Sequence, residues 1–189
     1  SPPSSLLPLP FPYLLYVGNC YPHKNLEMLL DAFDLLHAAI PDVHLMLAGR
    51  SDVFFKRLET AALKHFAHSF IHFESNPTDE RLAELYAGAN GYVFPSRIEG
   101  FGLPPLEAMS MRVPVAASDI PSLKEILGDA AIYFSPSDPK SIADTLNLLL
   151  TDSVLRESLI QKGQQQINQY SWKKMAEQTL NVYQSCARS

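Results

Sequence analysis

FPSRIEGFGLPPLEA, Phe94 to Ala108, compresses the end of a strand, a glycine-bracketed loop and the start of a helix into one stretch. Val93 and Phe94 close an apolar run, and Gly100 and Gly102 then let the backbone turn with no Cβ in the way. Pro104 and Pro105 suit the first turn of a helix. The unpaired N–H groups of that turn, with the positive end of the helix dipole behind them, form a seat for phosphate or sugar oxygens. Glu99 and Glu107 flank the seat. Carboxylates accept hydrogen bonds and repel phosphate, so their targets are hydroxyl groups on the same ligand. A nucleotide sugar carries both kinds of group.

On either side, short apolar runs alternate with segments of helical spacing. Tyr13 to Val17 reads as the first strand, Val43 to Ala48 as the second, Ser69 to Phe73 as the third and Gly91 to Phe94 as the fourth. Val113 to Ala117 and Ala131 to Phe134 complete six. Helices are expected over Leu26 to Ala39, Phe54 to Phe66 and Asp79 to Gly88, the last capped by Thr78, then from the glycine loop to Met111 and from Ser122. Asp138 to Leu150, Ser153 to Ile167 and Trp172 to Cys186 follow as helices with no strands between them. This alternation predicts an α/β, Rossmann-like, doubly wound parallel sheet of about six strands covered on both faces, with extra C-terminal helices. In such sheets a ligand lies beyond the carboxyl ends of the strands, where the turns at Gly18, Gly49 and Gly100/Gly102 all fall, so three loops are expected to line one crevice.

The 189 residues, 47% hydrophobic and 19% charged, suit one globular core. A net charge of −5 without a Lys/Arg cluster argues against nucleic acid or an anionic membrane as the main partner. No apolar run approaches the roughly twenty residues of a membrane span, and no signal peptide opens the chain, which favours the cytoplasm. Cys20 and Cys186 lack metal or disulfide spacing and receive no role. Residues 1–12, with five prolines and no charge, read as a linker stub from a longer polypeptide, leaving 13–189 as the domain.

Lys24, at the entry of the first helix, is the candidate cation. A charge pair about 4 Å apart at an effective dielectric near 20 is worth on the order of 4 kcal/mol before desolvation, enough to matter for a diphosphate. His23 beside it faces the same ligand or solvent. His65, His68 and His72 are expected in structural or solvent positions rather than as a metal cluster.

The strings Y16-V-G18 followed by H-K-N25, P95-S-R-I-E-G-F-G-L-P-P-L-E107 with its E-x7-E, S118-D-I-P121 and G128-D-A-A-I-Y-F134 together resemble the C-terminal, donor-binding half of GT-B glycosyltransferases of the large retaining family 4. The resemblance runs over nearly everything from Tyr13 onward. It implies that Lys24 meets the donor diphosphate, that Glu107 holds the nucleotide ribose and that Glu99 contacts the hydroxyls of the transferred sugar, the one catalytic-site residue assigned. Gly18 and Gly100, with the backbone of Phe101, Gly102 and Leu103, match the segments that cradle sugar and phosphate. Many members carry an arginine after the first glycine; Asn19 stands there instead and brings no charge, leaving Arg50 or Arg97 as substitutes.

The resemblance further implies an N-terminal acceptor domain of the same polypeptide, absent here, through which any membrane contact would run. It implies transfer of a hexosyl unit from a nucleoside diphosphate sugar to a hydroxyl, with retained anomeric configuration and no metal or other cofactor, by the intact protein rather than by this portion alone. Tyr170 to Ala187 resembles the family's terminal helix, which packs on that other domain; Trp172, Met175 and Leu180 equally suit the core of this one. A non-catalytic sugar-nucleotide-binding module would share the same crevice. An unrelated Rossmann binder would show no preference for nucleoside diphosphates, and the absence of G-x-G-x-x-G after the first strand argues against NAD.

Overall fold

YLLYV has no polar alternation, so it suits a strand covered on both faces, and all five of its residues are buried as β1 (Tyr13–Val17). The computed structural model describes residues 9–187. Beside β1 lie β2 (His44–Gly49), β3 (Ile71–Ser75), β4 (Gly91–Phe94), β5 (Val115–Ser118) and β6 (Ala131–Phe134). They form one sheet in the order β3-β2-β1-β4-β5-β6, parallel throughout. This is the doubly wound arrangement expected, with the chain reversing its direction of travel between β1 and β4. The helices are α1 (Leu26–Ala39), α2 (Val53–Ala62), α3 (Asp79–Gly88), α4 (Leu103–Ser110), α5 (Pro121–Leu127), α6 (Pro139–Thr151), α7 (Ser153–Ile167) and α8 (Trp172–Ala187). The first packs on the sixth and the fourth on the seventh.

Side-chain caps set several of these boundaries. Thr78 accepts from the Arg81 amide at 3.2 Å, as its position before α3 predicts. Asp52 takes the amides of Phe54 and Phe55, both at 2.9 Å, and starts α2. That helix stops at Ala62 rather than Phe66. The Asp34 carboxylate of α1 draws in His65 Nδ1 and the Ala67 amide, each at 2.8 Å, and pulls the chain out of helical register. A 3-10 turn over His68–Phe70 then delays β3 to Ile71, later than the expected Ser69. Likewise β5 begins at Val115, because Arg112 occupies the left-handed region at φ 61° and Pro114 has no N–H to give a ladder.

The linker reading of residues 1–12 falls for residues 1–8 outside the described residues; Leu9 and Phe11 pack against the core. Of the two readings for the last helix, membership in this domain's own core is corrected. Met175 and Leu180 are 51% and 55% exposed, and Val182 and Tyr183 are more so. Tyr170 is tied by its hydroxyl to the Ile126 carbonyl at 3.1 Å, and residues 173–186 of α8 beyond it are exposed. The side chain of Trp172 lies outside the described residues. Among the described residues no helix is long and apolar enough to cross a membrane.

An aromatic stack closes the amino end of the sheet. Phe11 lies on His44 with centroids 3.8 Å apart and on His72 at 5.0 Å, while His44 Nδ1 meets His72 Nε2 at 2.8 Å. One imidazole donates to the other, which requires a neutral acceptor. Burial, then the neighbouring His72 and His37, holds the His44 pKa below its ordinary 6.5, with Asp42 opposing; burial alone lowers His72. The unfolded chain therefore binds more protons than the folded one just below neutrality. Stability from these groups is complete above about pH 6.5 and is lost as pH falls through it. Denaturant midpoints are expected to decline from pH 7 to pH 5, and His72→Phe, which keeps a ring on Phe11, is expected to flatten that decline; an unchanged slope refutes the assignment.

Candidate functional site

Where β1 and β4 pair, the loops leaving their carboxyl ends diverge to opposite faces and open a crevice. The turn after β1 is packed tightly against β2. The Gly18 amide donates to the Ala48 carbonyl at 3.0 Å, and a Cβ on Gly49 would lie 2.1 Å from the Gly18 carbonyl oxygen. A Cβ on Gly18 would itself meet the Tyr16 hydroxyl at 2.8 Å, and that hydroxyl donates to the Asn19 carbonyl at 2.6 Å. Gly49 thus permits close backbone approach at the floor of the crevice, and Gly18 leaves room for the Tyr16 hydroxyl.

Lys24 closes a 3-10 turn, Pro22–Lys24, and reaches across to the loop after β4. Its Nζ lies 2.5 Å from Glu99 Oε1, with the two side chains 13% and 11% exposed, and 5.3 Å from the centre of the Phe94 ring. The residue expected on the donor diphosphate and the one expected on the sugar hydroxyls are therefore paired with each other. Asn25 explains why the loops meet. It sits in the left-handed region at φ 61°, where asparagine is tolerated, and is buried. Its Nδ2 donates to the Pro95 carbonyl at 3.1 Å and the Pro136 carbonyl at 2.7 Å, so one amide ties the loops after β1, β4 and β6. The Arg97 amide adds a bond to the His23 carbonyl at 2.8 Å. Asn25 stood in the quoted H-K-N string, yet its tying role had no signal in sequence, since both acceptors are backbone carbonyls from distant loops.

The glycine loop differs from expectation in one respect. Gly102, at φ +94°, is the N-cap of α4, and Pro104 and Pro105 occupy its first turn without an N–H to give. The seat is therefore made by fewer amides than an ordinary helix start offers. Among the described residues no hydrogen bond takes up the N–H groups of Gly100, Phe101, Gly102 or Leu103. Phe101, 40% exposed, meets Tyr170 edge-on at 5.5 Å, which fixes the loop from behind. A Cβ on Gly102 would press on Leu123 Cδ2 at 3.0 Å, whereas one on Gly100 would meet nothing within 4 Å.

Glu107 projects from α4 and is exposed, yet its Oε2 accepts from the buried Tyr86 hydroxyl at 3.0 Å. Burial and then the Glu107 charge raise the Tyr86 pKa, so the phenol stays protonated and always donates. Tyr92 lies beside it at 5.9 Å, donating to the Val17 carbonyl at 3.2 Å. Tyr92 is raised by burial, by Tyr86 and Tyr16, and by Glu107; Tyr16 is raised by burial, Cys20 and Glu99. A floor of buried phenols thus runs between the two carboxylates. Tyr86 was missed in sequence because it reads as one more apolar residue of a helix.

The remaining candidates lie further out. Asn19 uses its Oδ1 to accept the Tyr21 amide at 3.4 Å. Arg50 and Arg97 are exposed. His65 pairs with Asp34 and His72 with His44, so the three histidines do not converge. Among the described residues no three His, Cys, Asp or Glu side chains gather as metal ligands.

Residues 2–166 match the family described as Glycosyl transferases group 1. The O-antigen chain mannosyltransferase B of Escherichia coli is 38% identical over 176 residues, spanning 90% of this chain and 45% of that protein. A phosphatidyl-myo-inositol mannosyltransferase of Mycobacterium leprae is 32% identical over 180 residues, 93% and 47% respectively. Sucrose-phosphate synthase from Thermosynechococcus elongatus superposes with a TM-score of 0.84 at 30% identity, over 97% of this chain and 47% of that one. The chain spans about half the length of the curated relatives it matches. A six-stranded parallel sheet with its glycine loop at the β1/β4 reversal, and a match over most of the sequence, lead to one family: the chain belongs to the group 1 glycosyl transferases, with the GT-B type of Rossmann-like fold.

Proposed function

We propose that this chain is the nucleotide-sugar-binding domain of a retaining glycosyltransferase that moves a hexosyl unit from a nucleoside diphosphate sugar to a hydroxyl acceptor. The observation that carries the reading is the meeting of Lys24 and Glu99 at the reversal of the sheet, beside unpaired amides of the glycine loop. In this reading Lys24 and the amides of Gly100, Phe101, Gly102 and Leu103 take the diphosphate, whose developing charge they neutralise as the sugar leaves. Glu99 orients sugar hydroxyls, Glu107 holds the ribose, and Gly18 and Asn19 border the phosphates. The reaction so described needs no metal and no other cofactor. Acceptor and any membrane contact fall to a further N-terminal domain of the intact protein, so the domain binds donor without completing transfer. Mannosyl donors are favoured, on the names of the two bacterial relatives.

Calorimetry with UDP, GDP and ADP, their parent nucleosides and their common sugar conjugates tests the proposal. Lys24→Ala is expected to weaken diphosphate binding by about 1.5–3 kcal/mol, the scale of hydrogen bonds to a charged group, and to leave nucleoside binding in place. An identical ratio of diphosphate to nucleoside affinity before and after the change ends the assignment.

A further inference from the structure

Lys24 and Glu99 are joined more closely than two independent ligand contacts need to be. Their side chains are almost out of solvent, and the loops that carry them are fastened by backbone and Asn25 hydrogen bonds. Separation therefore comes from side-chain rotation. Beneath them the Tyr16 phenol is buried and donates to the Asn19 carbonyl, so it offers Glu99 no replacement hydrogen bond. Whatever draws Lys24 away leaves a poorly hydrated carboxylate without its counter-charge, which is costly unless new donors arrive.

Resting on the donor reading above, we propose that the Lys24–Glu99 ion pair is a selectivity device that handicaps a free nucleoside diphosphate relative to its glycosyl conjugate. A bare diphosphate competes with Glu99 for the Lys24 ammonium and sets two anions side by side. A conjugate brings the same diphosphate together with sugar hydroxyls. Those hydroxyls donate to Glu99 as the ammonium turns to phosphate, so the carboxylate exchanges one set of donors for another. The pair thus turns the presence of a hydroxylated glycosyl group into affinity and weakens retention of the diphosphate after that group has gone.

The test compares wild type with Glu99→Gln, which keeps the shape and one acceptor oxygen but removes the charge. Calorimetry on the chain uses UDP, GDP and ADP against their glucose and mannose conjugates, with a melting curve to establish folding. Wild type is expected to prefer the conjugate. In Glu99→Gln the free diphosphate is expected to bind about tenfold tighter, the conjugate's advantage shrinking to near parity. Glu99→Asp, with a shorter reach to Lys24, moves the ratio the same way by a smaller step and serves if the first variant does not fold. An unchanged ratio in a folded variant, or equal weakening of both ligands, overturns the selectivity role and leaves the donor reading standing. Failure of wild type to bind any of these nucleotides overturns both.

Discussion

Gly49→Ala is expected to destabilise the domain by about 3 kcal/mol, at the upper end for overpacking a buried position. The added methyl would sit 2.1 Å from the Gly18 carbonyl oxygen, a backbone atom, and is itself held by the Gly49 backbone at the end of a central strand. Neither can move without opening the β1–β2 ladder that the Gly18 amide continues to Ala48. For a domain of this length the loss corresponds to a fall in melting temperature of roughly 6–12 °C. Gly91→Ala is the informative comparison. Its methyl would meet Leu149 Cδ2 at 2.7 Å and Leu14 Cδ2 at 3.0 Å, both ends of side chains that can rotate aside. Gly100→Ala, with nothing near, is expected to melt with wild type. A Gly49→Ala protein that melts within about 2 °C of wild type would show that the two turns are not in contact in solution.

Glu107→Ala is expected to weaken nucleoside diphosphate binding by about 1–3 kcal/mol, or roughly 5- to 150-fold in Kd, and to cost about 1 kcal/mol of stability because the buried Tyr86 hydroxyl loses its acceptor. Among the described residues the Tyr86 hydroxyl alone donates to this carboxylate, to Oε2 at 3.0 Å, which leaves Oε1 for a ligand hydroxyl. Tyr86→Phe removes only the bond that aims the carboxylate, so a smaller loss of about 0.5–1.5 kcal/mol is expected. The two losses should not add, since both act on the same oxygens. Titration calorimetry on folded variants measures them. Unchanged affinity in Glu107→Ala removes the ribose assignment, and full additivity removes the positioning role of Tyr86.

Most of the sheet was legible because most of its strands are short apolar runs set between helical stretches and turn-forming residues. YLLYV, GYVF and AIYF begin and end where the pattern says. Errors arose where a distant side chain competes with local preference. Asp34 lies on another helix, and no window around His65 reveals that it will unwind the end of α2. At the site, residue types and their places at strand ends were readable, since Gly18, Gly49 and the glycine loop all follow apolar runs. Pairing was not. Lys24 and Glu99 read as two separate ligand contacts, because the expected convergence of their loops on one crevice does not tell that the two side chains meet each other. The proline effect was half legible: Pro104 and Pro105 mark the helix start, but they also subtract two N–H groups from the seat.

The seam between β1 and β4 has a kinetic consequence. Lys24 and Glu99 stand 75 residues apart along the chain, and Asn25 reaches a carbonyl 111 residues away. Closing loops of that length is slow, and local hairpin-like contacts cannot substitute for them in a parallel sheet. The crevice is thus expected to form late in folding, once both halves of the sheet have docked. A molecule lodged there would act as a latch on the finished structure, holding it shut against unfolding while leaving the rate at which the chain first collapses unaltered.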